Sequence, residues 1–196
     1  MRLPLLVSTL AVILTGCGEP SIPTEPPKAT PPPDVATSGF LTAYAEQTIA
    51  MSVPEVRAFL ADQPLISFLE PTENISNPVD SETLEGDWPE PGASRWLRLA
   101  DGHYVVERIL ENEEDFFKYQ VFVFTNAAGR GVDQIVGEQR FVAVEDGTRF
   151  EWTYNVLPAN FVARQFVRNN MDEIGLYISG GLERFAVAAN ASAAQD

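Results

Sequence analysis

The sequence predicts an α+β domain: a curved antiparallel sheet wrapped around one long C-terminal helix, with two short helices after the first strand. Three observations predict it. Between Asn160 and Ala189, Phe166, Met171, Ile174, Ile178, Leu182 and Phe185 recur mostly at three- and four-residue steps, which sets them on one stripe of a helix. Ahead of it, apolar and polar residues alternate in runs broken by Asp101-Gly102 and Asp146-Gly147, strong hairpin signals. Early in the domain, Ser52-Val53-Pro54-Glu55 has the Ser and Glu of a capping box with proline in the first turn, so a helix starts there. A long terminal helix cannot bury its stripe alone, and the strands before it supply the cover.

Phe40 to Ala50 alternates well enough to be the first strand. The helix after Ser52 buries Val56, Phe59 and Leu60; Pro64 stops it, and Leu65 to Leu69 forms a second short helix or turn before Pro71. Glu73 to Pro78 is a candidate strand. Ser81 to Gly92 reads as a loop because Gly86, Pro89, Pro91 and Gly92 break it. Arg95 to Leu99 and His103 to Leu110 make the first hairpin, with Leu97, Leu99, Tyr104, Val106 and Arg108 expected on one face and Trp96, Arg98, His103, Val105 and Glu107 on the other. Asp115 to Phe124 is the next strand, and a glycine-containing loop covers Ala127 to Val132. Gln134 to Val144 and Thr148 to Leu157 form the second hairpin. A two-residue Asp146-Gly147 turn pairs Glu145 with Thr148, so Phe141 faces Trp152 and Gln139 faces Tyr154. Phe141, Phe150, Trp152, Tyr154 and Val156 then share the face that must be covered. Glu138, Arg140, Arg149, Glu151 and Thr153 share a face that can meet water. Asn160 is the expected N-cap of the long helix.

Length and composition bound the function. A chain of 196 residues accommodates one domain plus attachments. Its net charge of −15 argues against nucleic acid as a partner, because phosphate binding needs a basic face. One cysteine and one histidine leave no internal disulfide and no multi-histidine or thiolate metal site; the expectation is no metal and no cofactor.

The N-terminus has the pattern of an address. Met1-Arg2 precedes an almost wholly apolar run from Leu3 to Leu14, the length of a signal-peptide core and short of a membrane span. It ends in Leu14-Thr15-Gly16-Cys17, which resembles the bacterial lipobox, in which the cysteine is acylated and becomes the first mature residue. Residues 1–16 are thus expected to be a signal peptide and 17–39 a lipidated cysteine with a linker. Residues 40–190 are the folded domain and 191–196 a disordered tail. Gly18 after the cysteine leans toward the outer membrane, facing the periplasm. Gly18 to Gly39 holds seven prolines, a composition that favours an extended spacer holding the domain off the membrane.

The order of elements resembles the START-like, or SRPBCC helix-grip, superfamily, and within it the polyketide cyclase/dehydrase and lipid-transport group. The likeness rests on SVPEVRAFLAD after the first strand, RWLRLADGHYVVERIL, GTRFEWTYNVLP and the ending MDEIGLYISGGLERF, and spans about Leu41 to Ala189. It implies a sheet gripping the C-terminal helix with a cavity between them. Such cavities bind lipids, sterols, hormones or polyketides, and some members catalyse aromatisation or cyclisation. The family has no invariant catalytic residues to carry over.

Candidate cavity-lining residues are Trp88, Glu107, Tyr119, Phe141, Trp152, Tyr154, Phe166 and Met171. The aromatics offer apolar bodies with polar tips, and a buried Glu107 is a candidate acid or base. Arg108 follows Glu107 on the same strand and falls on the opposite face; which of the two turns inward is left open. His103 follows a tight turn and is expected at the surface. Arg164 and Arg168, early in the long helix, are candidates for an acidic ligand or for pairing with acidic neighbours. No serine-nucleophile or nucleotide-loop motif is present. Three readings follow. The first is a membrane-anchored protein binding a hydrophobic or amphipathic small molecule. The second is an enzyme of the cyclase/dehydrase type using Glu107 and Tyr119. The third is a structural or partner-binding lipoprotein whose interior is shut by Phe141, Trp152, Phe166 and Phe185.

Overall fold

The computed structural model describes residues 20–194. Cys17 and the apolar leader before it lie outside the described residues. Seven strands form one antiparallel sheet in the order β1-β7-β6-β5-β4-β3-β2. They are β1 Leu41–Ile49, β2 Pro78–Glu85, β3 Ser94–Leu99, β4 Tyr104–Asn112, β5 Phe116–Phe124, β6 Val132–Val144 and β7 Gly147–Pro158. The helices are α1 Val53–Asp62, α2 Phe161–Asn169 and α3 Met171–Ala193, with short 3₁₀ turns at Leu65–Phe68 and Ala128–Gly131.

The capping box at Ser52 forms: Glu55 Oε2 accepts from the Ser52 backbone N–H at 2.7 Å and from its hydroxyl at 2.6 Å. α1 buries Val56 fully. α3 lies along the concave face of the sheet with Ile178, Leu182, Phe185 and Ala189 wholly buried. Phe185 meets Phe59, Phe68 and Phe150 edge-on at 5.4–5.7 Å, which closes that half of the interior. Gly181 makes room there, since a Cβ on it would stand 2.6 Å from Leu69.

Several features differ from the sequence expectations. The terminal helix is two helices. Asn170 breaks the run, its side chain donating back to the Phe166 carbonyl at 2.8 Å, a local bond that competes with the helix ladder. α2 therefore turns Val167 inward and leaves Phe166 54% exposed, off the stripe its spacing predicts. α3 also continues to Ala193, past the expected boundary at 190.

β2 begins where the candidate strand at 73–78 is expected to end and takes in the first five residues, 81–85, of the stretch expected as loop. It is an edge strand exposed almost throughout, so no alternation marks it.

The β6–β7 register is Phe141↔Phe150, Gln139↔Trp152 and Gly137↔Tyr154, because the turn residues are Glu145-Asp146 and Gly147 already pairs with Val144. Gly147 has φ +133°, and a Cβ there would lie 2.1 Å from the Ile49 carbonyl oxygen, so the end of β1 demands a glycine in the strand. The shift is two residues, and the covered face is unchanged.

The β3–β4 faces, by contrast, regroup. Arg98 pairs with Tyr104 and Arg95 with Glu107, so Arg95, Leu97, Val105 and Glu107 share the concave face while Trp96, Tyr104, Val106 and Arg108 share the convex one. His103 is buried, its Nδ1 3.1 Å from Thr125 Oγ1.

The proline-rich stretch is extended but docked. From Ile22, beside Gly102, it crosses the convex face. The Pro33 carbonyl accepts from Arg108 at 3.1 Å and from Gln120 at 3.4 Å. The Asp34 carbonyl accepts from Gln134 at 3.1 Å, and Ala36 N–H donates to Gln134 at 3.2 Å. An extended proline-rich chain has no internal hydrogen bonds, so its carbonyls are free for these side chains. The described part is a strap on the sheet rather than a free spacer. The strands and helices of the described residues, with the strap on the outer face, thus make one sheet-and-helix domain.

Candidate ligand cavity

The Phe185 cluster fills one half of the space between sheet and α3. The other half is a cavity of about 600 Å³. Its floor is the concave face of β3 to β7, and its cover comes from α1, residues 64–78, the Trp88-Pro89 loop, and Ile174 and Tyr177 of α3. Most of the wall is apolar, including Leu60, Leu65, Leu97, Val105, Val121 and Ile135.

The polar groups on the wall are each held by the sheet register. Pairing of Arg95 with Glu107 across β3–β4 brings the two side chains together: Nε donates at 2.6 Å and a terminal nitrogen lies at 2.5 Å from the same carboxylate oxygen. The side chains are only 15% and 7% exposed, so this is a largely dry ion pair. The Trp88 ring covers the guanidinium, with Cζ 3.8 Å from the ring centroid.

On the floor, Gly137 of β6 stands between Tyr119 and Tyr154 of the flanking strands. A Cβ on Gly137 would lie 2.2 Å from Tyr119 Cζ, so the absent side chain lets the Tyr119 phenol lie flat. Trp152 Nε1 donates to that phenol oxygen at 3.1 Å. Burial drives the pKa of Tyr119, Tyr154 and Tyr177 upward, since the phenolate would lose its water. All three stay protonated at neutral pH.

Of the residues singled out in the sequence, Trp88, Glu107, Tyr119, Trp152 and Tyr154 line the cavity together. Phe141 lies outside it, stacked on Phe150 at 4.6 Å in the filled half. Met171 is half-buried against both apolar clusters and is not on the wall; Phe166 points outward. Arg108 faces the strap, and Arg164 donates to the Gly39 carbonyl at 2.7 Å. Neither Arg164 nor Arg168 lines the cavity.

Sequence reasoning missed Arg57. It sits on the wall where α1 meets the end of β4, bonded to Asn112, which donates to the Pro89 carbonyl at 3.1 Å. A signal was present: Val53, Arg57, Leu60 and Ala61 are spaced at helical steps, which puts an arginine on the inward stripe of α1.

Among the described residues no group of three or more His, Cys, Asp or Glu side chains is placed to hold a metal, and no helix is long and apolar enough to cross a membrane.

A sheet gripping a terminal helix around a partly hollow interior defines a helix-grip protein. The chain belongs to the polyketide cyclase/dehydrase and lipid transport family, whose model matches residues 41–189. Among solved structures it is similar to Ara h 8.0201, at 16% identity over 76% of this chain and 99% of that one with a TM-score of 0.54. It is also similar to TTHA0849 from Thermus thermophilus, at 13% identity over 78% of this chain and 99% of that one with a TM-score of 0.57. At these identities the likeness establishes the fold. Comparison with curated protein sequences gives no match.

Proposed function

We propose that this chain is a lipid-anchored protein that holds a hydrophobic or amphipathic small molecule in the cavity between its sheet and C-terminal helix. The observation that carries the reading is the cavity: about 600 Å³, walled mainly by apolar side chains, in a domain that fills its other half with aromatic rings. That volume is in the range of small-molecule sites. Family membership supports the same reading.

An enzymatic role has less support. A general base must be free to take a proton. Glu107 is committed to Arg95, and the three buried tyrosines hold their protons, which leaves the cavity able to orient a ligand by donating hydrogen bonds. A filled interior working only through its surface is not favoured by a cavity of this size.

The anchor belongs to the same proposal. The lipobox-like Leu14-Thr15-Gly16-Cys17 supports acylation at Cys17 and a periplasm-facing position on the outer membrane. Labelled palmitate should enter the protein in a bacterial host and fail to enter the Cys17→Ala variant.

Native mass spectrometry of the protein purified without detergent, followed by organic extraction, tests the ligand. A reproducible co-purifying mass released on denaturation is the expected result. A clean apo mass together with no uptake of added fatty acid, fatty alcohol or sterol would overturn the proposal.

A further inference from the structure

We infer that the cavity selects an amphipath with a single anionic head group, a carboxylate on an apolar tail, and that Arg57 is the residue that holds the head. The inference rests on the cavity-binding reading above and specifies its ligand.

The wall carries three formal charges. Arg95 and Glu107 cancel one another, and every other lining residue is neutral except Arg57. In a chain of net charge −15, the cavity therefore has an excess of one positive charge.

Arg57 has no acidic partner among the described residues. Its hydrogen bond goes to the neutral amide oxygen of Asn112, and its guanidinium lies over Phe141 and Phe117 at 5.0 and 5.9 Å from the ring centroids. Burial alone lowers its pKa, with no neighbouring carboxylate to offset that effect. A guanidinium stays protonated and has five N–H donors in a fork that fits a carboxylate. The usual remedy for a half-buried arginine is an Asp or Glu nearby, and in this acidic chain none of the described carboxylates stands there.

The position suits a head group. Arg57, Asn112 and Pro89 join α1, the end of β4 and the Trp88 loop at one edge of the cavity, while the apolar wall runs inward from them. A tail inside and a carboxylate at Arg57 would satisfy both. One excess charge matches a monoanion better than a dianion.

The test compares ligands that share a tail. Dodecanoate, dodecanol and dodecyl phosphate are titrated against the chain from Pro20 onward, with displacement of the neutral dye N-phenyl-1-naphthylamine as the readout. Dodecanoate is expected to bind about tenfold tighter than dodecanol, the scale of one charge-assisted hydrogen-bonded pair. Arg57→Gln should bring the ratio to about one by weakening the acid alone, since the tail contacts remain. The ratio is read within each variant, so a general loss of stability does not imitate the effect. Asn112→Asp, which gives Arg57 an internal counter-ion and leaves α1 untouched, should also abolish the preference.

Equal binding of acid and alcohol by the unaltered chain, or an unchanged ratio in Arg57→Gln, would overturn the head-group assignment while leaving cavity binding intact. Tighter binding of dodecyl phosphate than of dodecanoate would replace the carboxylate. Failure of all three ligands would overturn the cavity reading and this one with it.

Discussion

The two faces of the sheet are covered in different ways. On the concave side, α1, α3 and the 64–78 segment span the sheet but leave a void, and the wall meets it with one ion pair, three protonated phenols and one guanidinium that has no acidic partner among the described residues. On the convex side, the chain's own proline-rich strap lies on a line of one arginine and two glutamines. Arg108 Nε donates to Gln120, Gln120 donates to Gln134, both at 2.8 Å, and all three reach the strap backbone. Gln120 and Gln134 are 0% and 2% exposed. Polar side chains that satisfy each other and a backbone leave no ligand to be bound. Polar side chains around a hollow, with one charge in excess, do. An ion pair facing a hollow and a hydrogen-bonded line closed by the strap should respond differently to perturbation.

The largest expected effect is on the inner pair. Glu107→Ala strands the Arg95 guanidinium in a mostly apolar wall, which should cost about 3 kcal/mol by urea denaturation. Replacing both partners with leucine should recover most of that loss, because two well-packed apolar groups need no counter-charge. A loss under about 1 kcal/mol in Glu107→Ala would mean that water already solvates the pair, and the contrast between a dry inner face and a strapped outer one would fail.

Second comes the strap. Starting the chain at Gly39 rather than Pro20 uncovers Gln120, Gln134 and Val136 and removes the backbone bonds from Pro33 to Ala36. Water can replace those bonds, so the loss should be about 2 kcal/mol, or a fall of about 4–8 °C in Tm for a domain of this size. Ligand affinity should stay within about twofold, since the strap and the cavity lie on opposite faces and share no partner. Lost binding with an unchanged Tm would invert the comparison, making the strap a part of the ligand site.

How much of this is legible in the sequence follows from what each feature depends on. The β6–β7 faces are legible because alternation is strong there, and a register error of two residues returns every side chain to its own face. The β3–β4 faces are not, because the connection between the paired Arg98 and Tyr104 has an odd number of residues, Leu99 to His103. An odd loop moves one strand's set to the other side. Glu107 thereby exchanges Trp96 as a neighbour for Arg95, and the ion pair could not be anticipated. The docked strap leaves no pattern, since extended proline-rich chain looks alike whether free or bound through its carbonyls. Phe141 and Phe166 fall outside the cavity for different reasons. Phe141 is inward, but in the filled half of the interior, and which half is filled depends on summed side-chain volumes rather than on any periodicity. Phe166 is lost to the break at Asn170, where one amide bonding backward to its own helix rotates the preceding turn.

The smallest effect concerns the cover of the cavity and its response to acid. Glu173, in the first turn of α3, accepts from Thr72 Oγ1 at 2.5 Å, from Asn74 N–H at 2.7 Å and from Asn74 Nδ2 at 2.9 Å. It pins the segment that brings Asn74, Ile75 and Ser76 to the cavity wall. The hydrogen bond from Thr72, with those from Asn74, holds its carboxyl below the usual value of 4.5. A carboxyl with a lowered folded-state pKa contributes stability that is present above 4.5 and is lost as pH falls through the folded value. Glu173→Gln should therefore cost about 1 kcal/mol at pH 7 and progressively less as the pH drops below 4.5, read as converging urea midpoints. Removing the strap takes away uncharged hydrogen bonds together with the attraction of Asp34 for Arg108, so the strap variant does not serve as the reference for this comparison. A Glu173→Gln difference that persists at low pH would mean that the protonated carboxyl holds the segment as well as the carboxylate does. The inner cover would then be indifferent to acid.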